Sequence, residues 1–357
     1  MTDAAVAGRL LDEYHERHVS PSGIRVLGGS EHQSRVTYHL TLPDGSAQVI
    51  RALRADGPAP AHGRDVAGEN VAGWLCGCAR TLAVLANAAY PAPRPVRTRT
   101  GELVGVAGPW LTWATTYVPG PVVTPTLDQL RQVGAALGHL HSVAAPRGGE
   151  RIGDGPPGLS SWHPAVAVPA SLARLDSVES RLPAAWRNLH SECRTVLAAV
   201  ARAAGWAAGS VPEGIVHGDV WARNVVWSSP SGVTFVDWET GGLGLPVVDL
   251  GSALLECQLD SDLPDDEPSR WLVAPSPDRI AALASGYAAV RTLSTAELDL
   301  LPAAAKFTAA VIGSVHLQVA LAEGVSGPVM TARHARLDNR LAVADQVAAI
   351  ARDRLAA

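Results

Sequence analysis

The residues best suited to chemistry in this 357-residue chain stand close together. They are His217-Gly218-Asp219, then Asn224 after four intervening residues, then an apolar strand pair that closes on Asp237-Trp238-Glu239. Phosphoryl transfer from a nucleoside triphosphate needs a carboxylate that orients the attacking hydroxyl. It also needs oxygen ligands for Mg2+, an ion that takes carboxylates, amide carbonyls and water. Asp219 suits the first task, and Asn224 and Asp237 suit the second. A short loop carrying D-x-x-x-x-N and a hairpin-like return to Asp237 brings all three into one cleft, with His217 orienting the loop by hydrogen bonds. The bland alternative is a set of polar strand ends that cap a helical lobe.

The elements that must position these residues change character along the chain. Strand candidates run from Ile24 to Leu27, Val36 to Leu42 and Gln48 to Leu53, the last two joined by the turn residues Pro43-Asp44-Gly45. Trp74, Leu75, Leu82 and Leu85 recur at helical spacing and predict a helix over 66–89 that stops at Tyr90-Pro91-Ala92-Pro93. Further strands are expected around Val96, from Leu103 to Val106 and from Trp110 to Val118, before Pro119-Gly120-Pro121 breaks the chain. Beyond the break the pattern is helical: 126–143, a Gly/Pro-rich loop over 146–169, and a long helical stretch from about 171 to 208. A β-like insert over 214–237 follows, then a helical tail from 278 to 357 interrupted at Ser326-Gly327-Pro328. The expected fold is α+β and bilobal, a β-rich N-lobe over 1–117 and a mainly helical C-lobe over 118–357. A chain longer than about 300 residues also favours two lobes over one core.

Composition removes several function classes. Acidic residues exceed basic ones by 34 to 29, with a formal charge of −5, which argues against nucleic acid as a partner. Lys306 is the only lysine, so neither a P-loop nor a Schiff-base lysine exists in the first five-sixths of the chain. The first eighteen residues lack the pattern of a secretory signal and no run reaches 18 uninterrupted apolar residues, so a cytoplasmic chain without a membrane span is expected. Cys76, Cys78, Cys193 and Cys257 are too few and scattered for a disulfide framework and read as reduced thiols. The C-x-C pair falls within a helix, where residues two apart do not face each other, which argues against a zinc site.

The stretch from His217 onward resembles the aminoglycoside phosphotransferase and choline kinase superfamily, which shares the protein-kinase-like fold. His217, Gly218, Asp219, Asn224, Asp237, Trp238, Glu239, Gly244, Pro246, Asp249 and Leu250 match its H-G-D-x-x-x-x-N, D-W-E and G-x-P-x-x-D-L pattern in order and spacing. Leu137 to Ser142, Tyr117 to Gly120 and Tyr90 to Pro93 are similar to further family segments, so the likeness covers roughly residues 24 to 255. The resemblance implies a kinase that moves the γ-phosphoryl of ATP or GTP to a small-molecule hydroxyl. Asp219 would be its catalytic carboxylate, His217 an orienter, Asn224 and Asp237 the Mg2+ ligands, and Asp249 a tie for the catalytic loop. Backbone groups in Trp113 to Tyr117, Thr115 and Tyr117 among them, would hold the nucleobase. His139 and His141 diverge by about 200° on a helix, so they are expected to pack or face solvent rather than ligate together.

The N-lobe departs from the family pattern. The lysine that normally holds the phosphates is missing, and Arg51 stands in its place, as a phosphate contact or as an ordinary strand-edge charge. Its acidic partner has two readings: the usual interval back from Pro91 lands near Ala79 or Arg80, whereas the helix's own acid is Glu69, with Asp65 one turn before it. Gly28-Gly29-Ser30 stands for the glycine-rich loop or is a turn between strands. Asp260, Asp262, Asp265, Asp266 and Glu267 crowd one stretch that either attracts an amine-bearing acceptor or is a solvated acidic loop. Trp162, Trp238 and Trp271 stack on a ring or serve in the core. An aminoglycoside, a peptide antibiotic or a small amino alcohol fits as acceptor, with antibiotic inactivation favoured over choline-, homoserine- or fructosamine-kinase chemistry. The rival reading is a pseudokinase-like binding protein that lost turnover with its lysine. Monomer and homodimer remain equally open.

Overall fold

The computed structural model describes residues 8, 10, 12–14, 23–30, 35–55, 71–122, 125–144, 157–203, 206, 209–228, 232–257, 274–323 and 328–356. Asp65, Glu69, the five carboxylates from Asp260 to Glu267, and Trp271 lie outside them. Contacts divide the chain into two compact units, with the division after Pro119 and with Pro157 and Gly158 returning to the first.

In the first unit β1 (Ile24–Ser30), β2 (Arg35–Thr41), β3 (Ala47–Arg54), β4 (Pro95–Val96), β5 (Gly105–Ala107) and β6 (Trp110–Thr116) form one antiparallel sheet in the order β1-β2-β3-β6-β4, with β5 also on β6. Alternation along β2 and β3 turns Val36, Tyr38, Leu40, Ile50 and Ala52 to one face, where Leu10, Tyr14 and Trp110 complete a core. The Tyr14 hydroxyl is drawn to the carbonyl of Thr112 at 2.8 Å, which ties the N-terminal segment to that face. Helix α1 (Val71–Asn87) buries Trp74, Leu75, Cys78, Leu82 and Leu85, as their spacing predicts. Gly28 and Gly29 lie within β1, past an irregularity in its pairing, rather than in a turn.

The second unit holds α2 (Leu127–His141), α3 (Pro164–Val178), α4 (Arg187–Arg202), β7 (Gly214–Val216), β8 (Val225–Ser228), β9 (Gly232–Phe235), β10 (Gly242–Gly244), α5 (Pro246–Glu256), α6 (Pro277–Ala288), α7 (Thr295–Glu323) and α8 (Pro328–Leu355). Two expectations need correction. The helical stretch from 171 to 208 is two helices, because Pro183 supplies no N–H and obstructs the preceding turn. The loop over 146–169 ends early, because Pro164 sits at the first position of α3, where a missing N–H costs nothing. Helix α7 is long and apolar enough to cross a membrane, but 72% of that stretch is buried inside the fold, where α3, α4, α5 and α8 surround it. Its apolar character on all sides is that of a central core helix.

Helices α2 and α6 meet backbone to backbone. A methyl group at Gly134 would lie 2.0 Å from the Leu283 carbonyl oxygen, and one at Gly286 would lie 2.0 Å from that of Arg131. Alanine at either site would gain about 1 kcal/mol of helix propensity, while forcing apart this packed contact would cost about 1–3 kcal/mol. Gly286→Ala is therefore expected to lower the urea midpoint of unfolding. A midpoint equal to or above wild type would show that the approach is not tight.

Candidate active site

The catalytic-loop candidates sit between short strands of the second unit. Strand β7 pairs with β10 and delivers His217 to Asp219 at its end, while β8 and β9 pair from Val225 opposite Phe235 to Ser228 opposite Gly232. One step beyond that hairpin the Val236 N–H donates to the Asn224 carbonyl at 2.9 Å, so Asn224 lies beside the residue preceding Asp237. The expected hairpin-like return is present.

Asn224 donates through Nδ2 to Asp219 twice, to the carboxylate Oδ2 at 2.7 Å and to the backbone carbonyl at 2.9 Å. Both amide protons are thereby used, which leaves the side-chain carbonyl oxygen as the group Asn224 can offer a cation. Asp237 adopts a left-handed backbone, φ 66° and ψ 64°, where a non-glycine residue is uncommon. Strain of this kind collects at functional sites. Burial, and next the neighbouring charges of Asp237 and Glu256, push the Asp219 carboxyl up to about 7. Two oxygen ligands beside carboxylates that repel each other form a donor set that fits a divalent cation.

His217 is hydrogen-bonded on both sides of its ring and through its carbonyl. The Asp219 N–H donates to its Nδ1 at 3.2 Å, which assigns the proton to Nε2, and Nε2 then donates to the Val236 carbonyl at 2.9 Å. The Thr240 hydroxyl donates to the His217 carbonyl at 3.0 Å. Gly218 has φ +81°, and a Cβ there would meet the Trp162 ring at 2.5 Å, so only glycine fits between strand and loop. Trp238, 1% exposed, packs edge-on against His217 and donates to the Phe235 carbonyl, which is the core role.

Asp249, 2% exposed on α5, accepts the N–H of His217 at 2.7 Å and the N–H of Gly218 at 2.9 Å, one through each carboxylate oxygen. Its Oδ2 also meets His141 Nε2 at 3.2 Å. Burial alone would raise its pKa, but the hydrogen bond from His141 and the His217 contacts outweigh that and hold it below the ordinary carboxylate range. His139, by contrast, is exposed on the other side of α2. The contact between His141 and Asp249, 108 residues apart, was not legible from spacing. Behind Asp219, Glu256 forms a two-pronged ion pair with Arg340 at 2.9 Å on each oxygen, with Arg336 at 3.6 Å.

In the first unit Arg51 lies on β3 opposite Trp113 of β6, and its guanidinium sits 5.4 Å from that ring. Thr115, buried on β6, pairs with Val49 and Pro95, while the N–H groups of Thr116 and Tyr117 are spent on the carbonyls of Arg94 and Ala47. The Tyr117 ring packs edge-on against His39 at 4.5 Å. Ser30 ends β1 opposite Arg35. Helix α1 contains no acidic residue, so neither Ala79 nor Arg80 hides a partner for a strand cation. The four cysteines are free thiols, and no cluster of three His, Cys, Asp or Glu side chains suited to a metal occurs among the described residues.

The model of the phosphotransferase enzyme family called APH matches residues 77–293, more than half of the chain. The chain belongs to this family. Among curated proteins it is 30% identical over 211 residues to a homoserine kinase of Methylobacterium radiotolerans, covering 59% of this chain and 58% of that protein. It is 27% identical over 237 residues to a homoserine kinase of Acidiphilium cryptum, covering 64% of each. The chain thus spans less than two thirds of the length of these relatives. Solved structures of similar fold include amicoumacin kinase hAmiN with AMP-PNP, Ca2+ and Ami, at TM-score 0.67 and 16% identity over 97% of this chain and 94% of that one. A microcompartment-associated aminopropanol kinase follows at TM-score 0.57 and 19% identity over 99% of both. At these identities the likeness establishes the fold, an antiparallel-sheet unit followed by a mainly helical one.

Because its folded pKa is depressed, Asp249 contributes stability that is fully present above 3.8 and is lost as pH falls through the folded value. The stability gap between wild type and Asp249→Asn, measured by urea unfolding, is expected to be constant near neutrality and to shrink below about pH 4. A gap independent of pH would remove the charge from this account.

Proposed function

We propose that this protein transfers the γ-phosphoryl group of ATP to the hydroxyl of a small, amine-bearing acceptor. The observation that carries the reading is Asp219, pinned by both amide protons of Asn224 beside the left-handed Asp237. One Asp219 oxygen is occupied by Asn224. The other is the group that would receive the acceptor hydroxyl, and the raised proton affinity of the carboxylate suits it to take that proton as the O–P bond forms. His217 and Asp249 hold the loop still, so that the carboxylate does not have to be ordered during the reaction. Asn224 and Asp237 are the residues that would hold Mg2+, whose charge, when bound, neutralises the phosphates. We assign Arg51 to the phosphates in place of the absent lysine, supported by its position in register on β3 and the orienting ring of Trp113.

The acceptor reading rests on names borne by other proteins. The curated relatives are homoserine kinases, and the fold neighbours include an aminopropanol kinase, all acting by name on molecules that carry both a hydroxyl and an amine. That favours a small amino alcohol over the antibiotic expected from the sequence. With the acidic stretch from Asp260 to Glu267 outside the described residues, the amine is supported by these names alone.

The test is transfer from Mg·ATP to L-homoserine, 1-amino-2-propanol, choline and spectinomycin, followed by mass spectrometry of the product. A phosphate ester of an amino alcohol is expected. Asp219→Ala is expected to lower turnover about a thousandfold and leave nucleotide affinity unchanged, whereas Asp237→Ala weakens the Mg2+-dependent part of binding. Saturating nucleotide at about 100 times its Kd adds about 2.7 kcal/mol, or a thermal shift of about 4 °C for a chain of this size. Wild-type turnover in Asp219→Ala would overturn the assignment, and no shift with any nucleotide would favour the binding protein without turnover.

A further inference from the structure

One buried polar chain in the second unit runs well beyond the catalytic loop. It starts at Glu297 in the first turn of α7, 2% exposed, which accepts the N–H and hydroxyl of Ser294 through one oxygen and Arg291 Nη2 at 2.6 Å through the other. Arg291 Nη1 donates to the Tyr287 hydroxyl at 2.9 Å. Tyr287, with no exposed surface, lies 2.9 Å from His141 Nδ1, and His141 Nε2 reaches Asp249, whose oxygens carry the N–H groups of His217 and Gly218.

The proton positions follow from the two ends. The guanidinium only donates, so Tyr287 accepts from it and is left with its own O–H to give. That proton goes to His141 Nδ1, which therefore has none, and the imidazole proton sits on Nε2, facing a carboxylate that only accepts. From Arg291 Nη1 through Tyr287 to His141, each donor thus points toward Asp249. Burial, the largest influence on His141, favours the neutral ring that this arrangement requires. The arrangement depends on the glycines of α2: a Cβ at Gly138 would lie 3.0 Å from the Val290 Cβ and 3.1 Å from the Tyr287 carbonyl oxygen.

We propose that Tyr287, oriented by Arg291 and Glu297, is a positioning residue for the catalytic loop, setting the tautomer and aim of His141 so that Asp249 holds the His217-Gly218 backbone. The proposal rests on the reading of Asp219 as the catalytic carboxylate only for its effect on turnover, and its structural half stands apart from it.

The test uses the full chain and Tyr287→Phe, which keeps the ring and its packing and removes only the hydroxyl. In 1H–15N spectra the His217 and Gly218 amides of this variant are expected to exchange with solvent about tenfold faster. Amides of β8 and β9 should stay as in wild type while the thermal midpoint falls by a few degrees, and the His141 Nδ1 resonance should shift to that of a nitrogen without a donor. Turnover should fall with nucleotide KM unchanged. Arg291→Met, which removes the donor that orients the Tyr287 hydroxyl, is expected to act in the same direction and more weakly, and serves if the first variant does not fold. Unchanged exchange at His217 and Gly218 in whichever variant folds would overturn the proposal. Asp219→Ala run alongside separates the two ideas: it should abolish transfer without altering those amides, and if transfer survives, the reading of Asp219 fails while the exchange data still decide the role of Tyr287.

Discussion

The buried carboxylate of Asp249 is the constraint on which the candidate site depends. It accepts the backbone N–H groups of His217 and Gly218 and the imidazole of His141, so its burial is compensated by hydrogen bonds to the charged form. A buried carboxylate without those partners would cost several kcal/mol and would protonate instead. With them, two successive peptide units are fixed in a conformation that only glycine tolerates at position 218. Asp219, next in the chain, inherits a fixed direction. The loop is rigid because of what lies behind it.

What lies behind it is helical packing. Helices α2 and α6 approach through Gly134, Gly138 and Gly286, and that approach carries His141 against Tyr287. The central helix α7 supplies Glu297 at its start and is covered by α3, α4, α5 and α8. A second buried charge, Glu256, is neutralised by Arg340 and Arg336 and contributes to the field at Asp219. Both buried acids are held below their ordinary range by partners that outweigh the cost of burial. Asp219 is pushed upward, by burial first and then by the acids beside it, because no cation among the described residues offsets them as Arg340 does for Glu256. The contrast separates the two carboxylates held by cations and N–H donors from Asp219, for which the proposed function reserves the chemistry.

The first unit solves a different problem. Without a lysine, its sheet presents Arg51 over the face of Trp113, a planar cation set on an aromatic ring. Guanidinium cannot lose its proton and binds oxyanions through two parallel donors, which is the chemistry Arg51 would bring to the phosphates under the proposed function. The strand that follows uses the N–H groups of Thr116 and Tyr117 within the sheet and its flanks, which confines ligand contacts there to other groups.

The sequence by itself determined the α+β division, the strands from β1 to β6, the course of α1 and α2, and the grouping of Asp219, Asn224 and Asp237. These are local matters: periodicity, turn residues and a motif within about twenty positions. It misjudged the helices around Pro164 and Pro183, because a proline is favourable at a first helical turn and disruptive inside one, and only the completed helix decides which applies. Tertiary structure alone decided that His141, rather than His139, meets Asp249, that Tyr287 and Arg291 lie behind it, and that Glu256 meets Arg340. Those partners are 84 to 146 residues apart in the chain. Hydrogen bonds of that span leave no periodic trace in a sequence, since they depend on where whole helices come to rest.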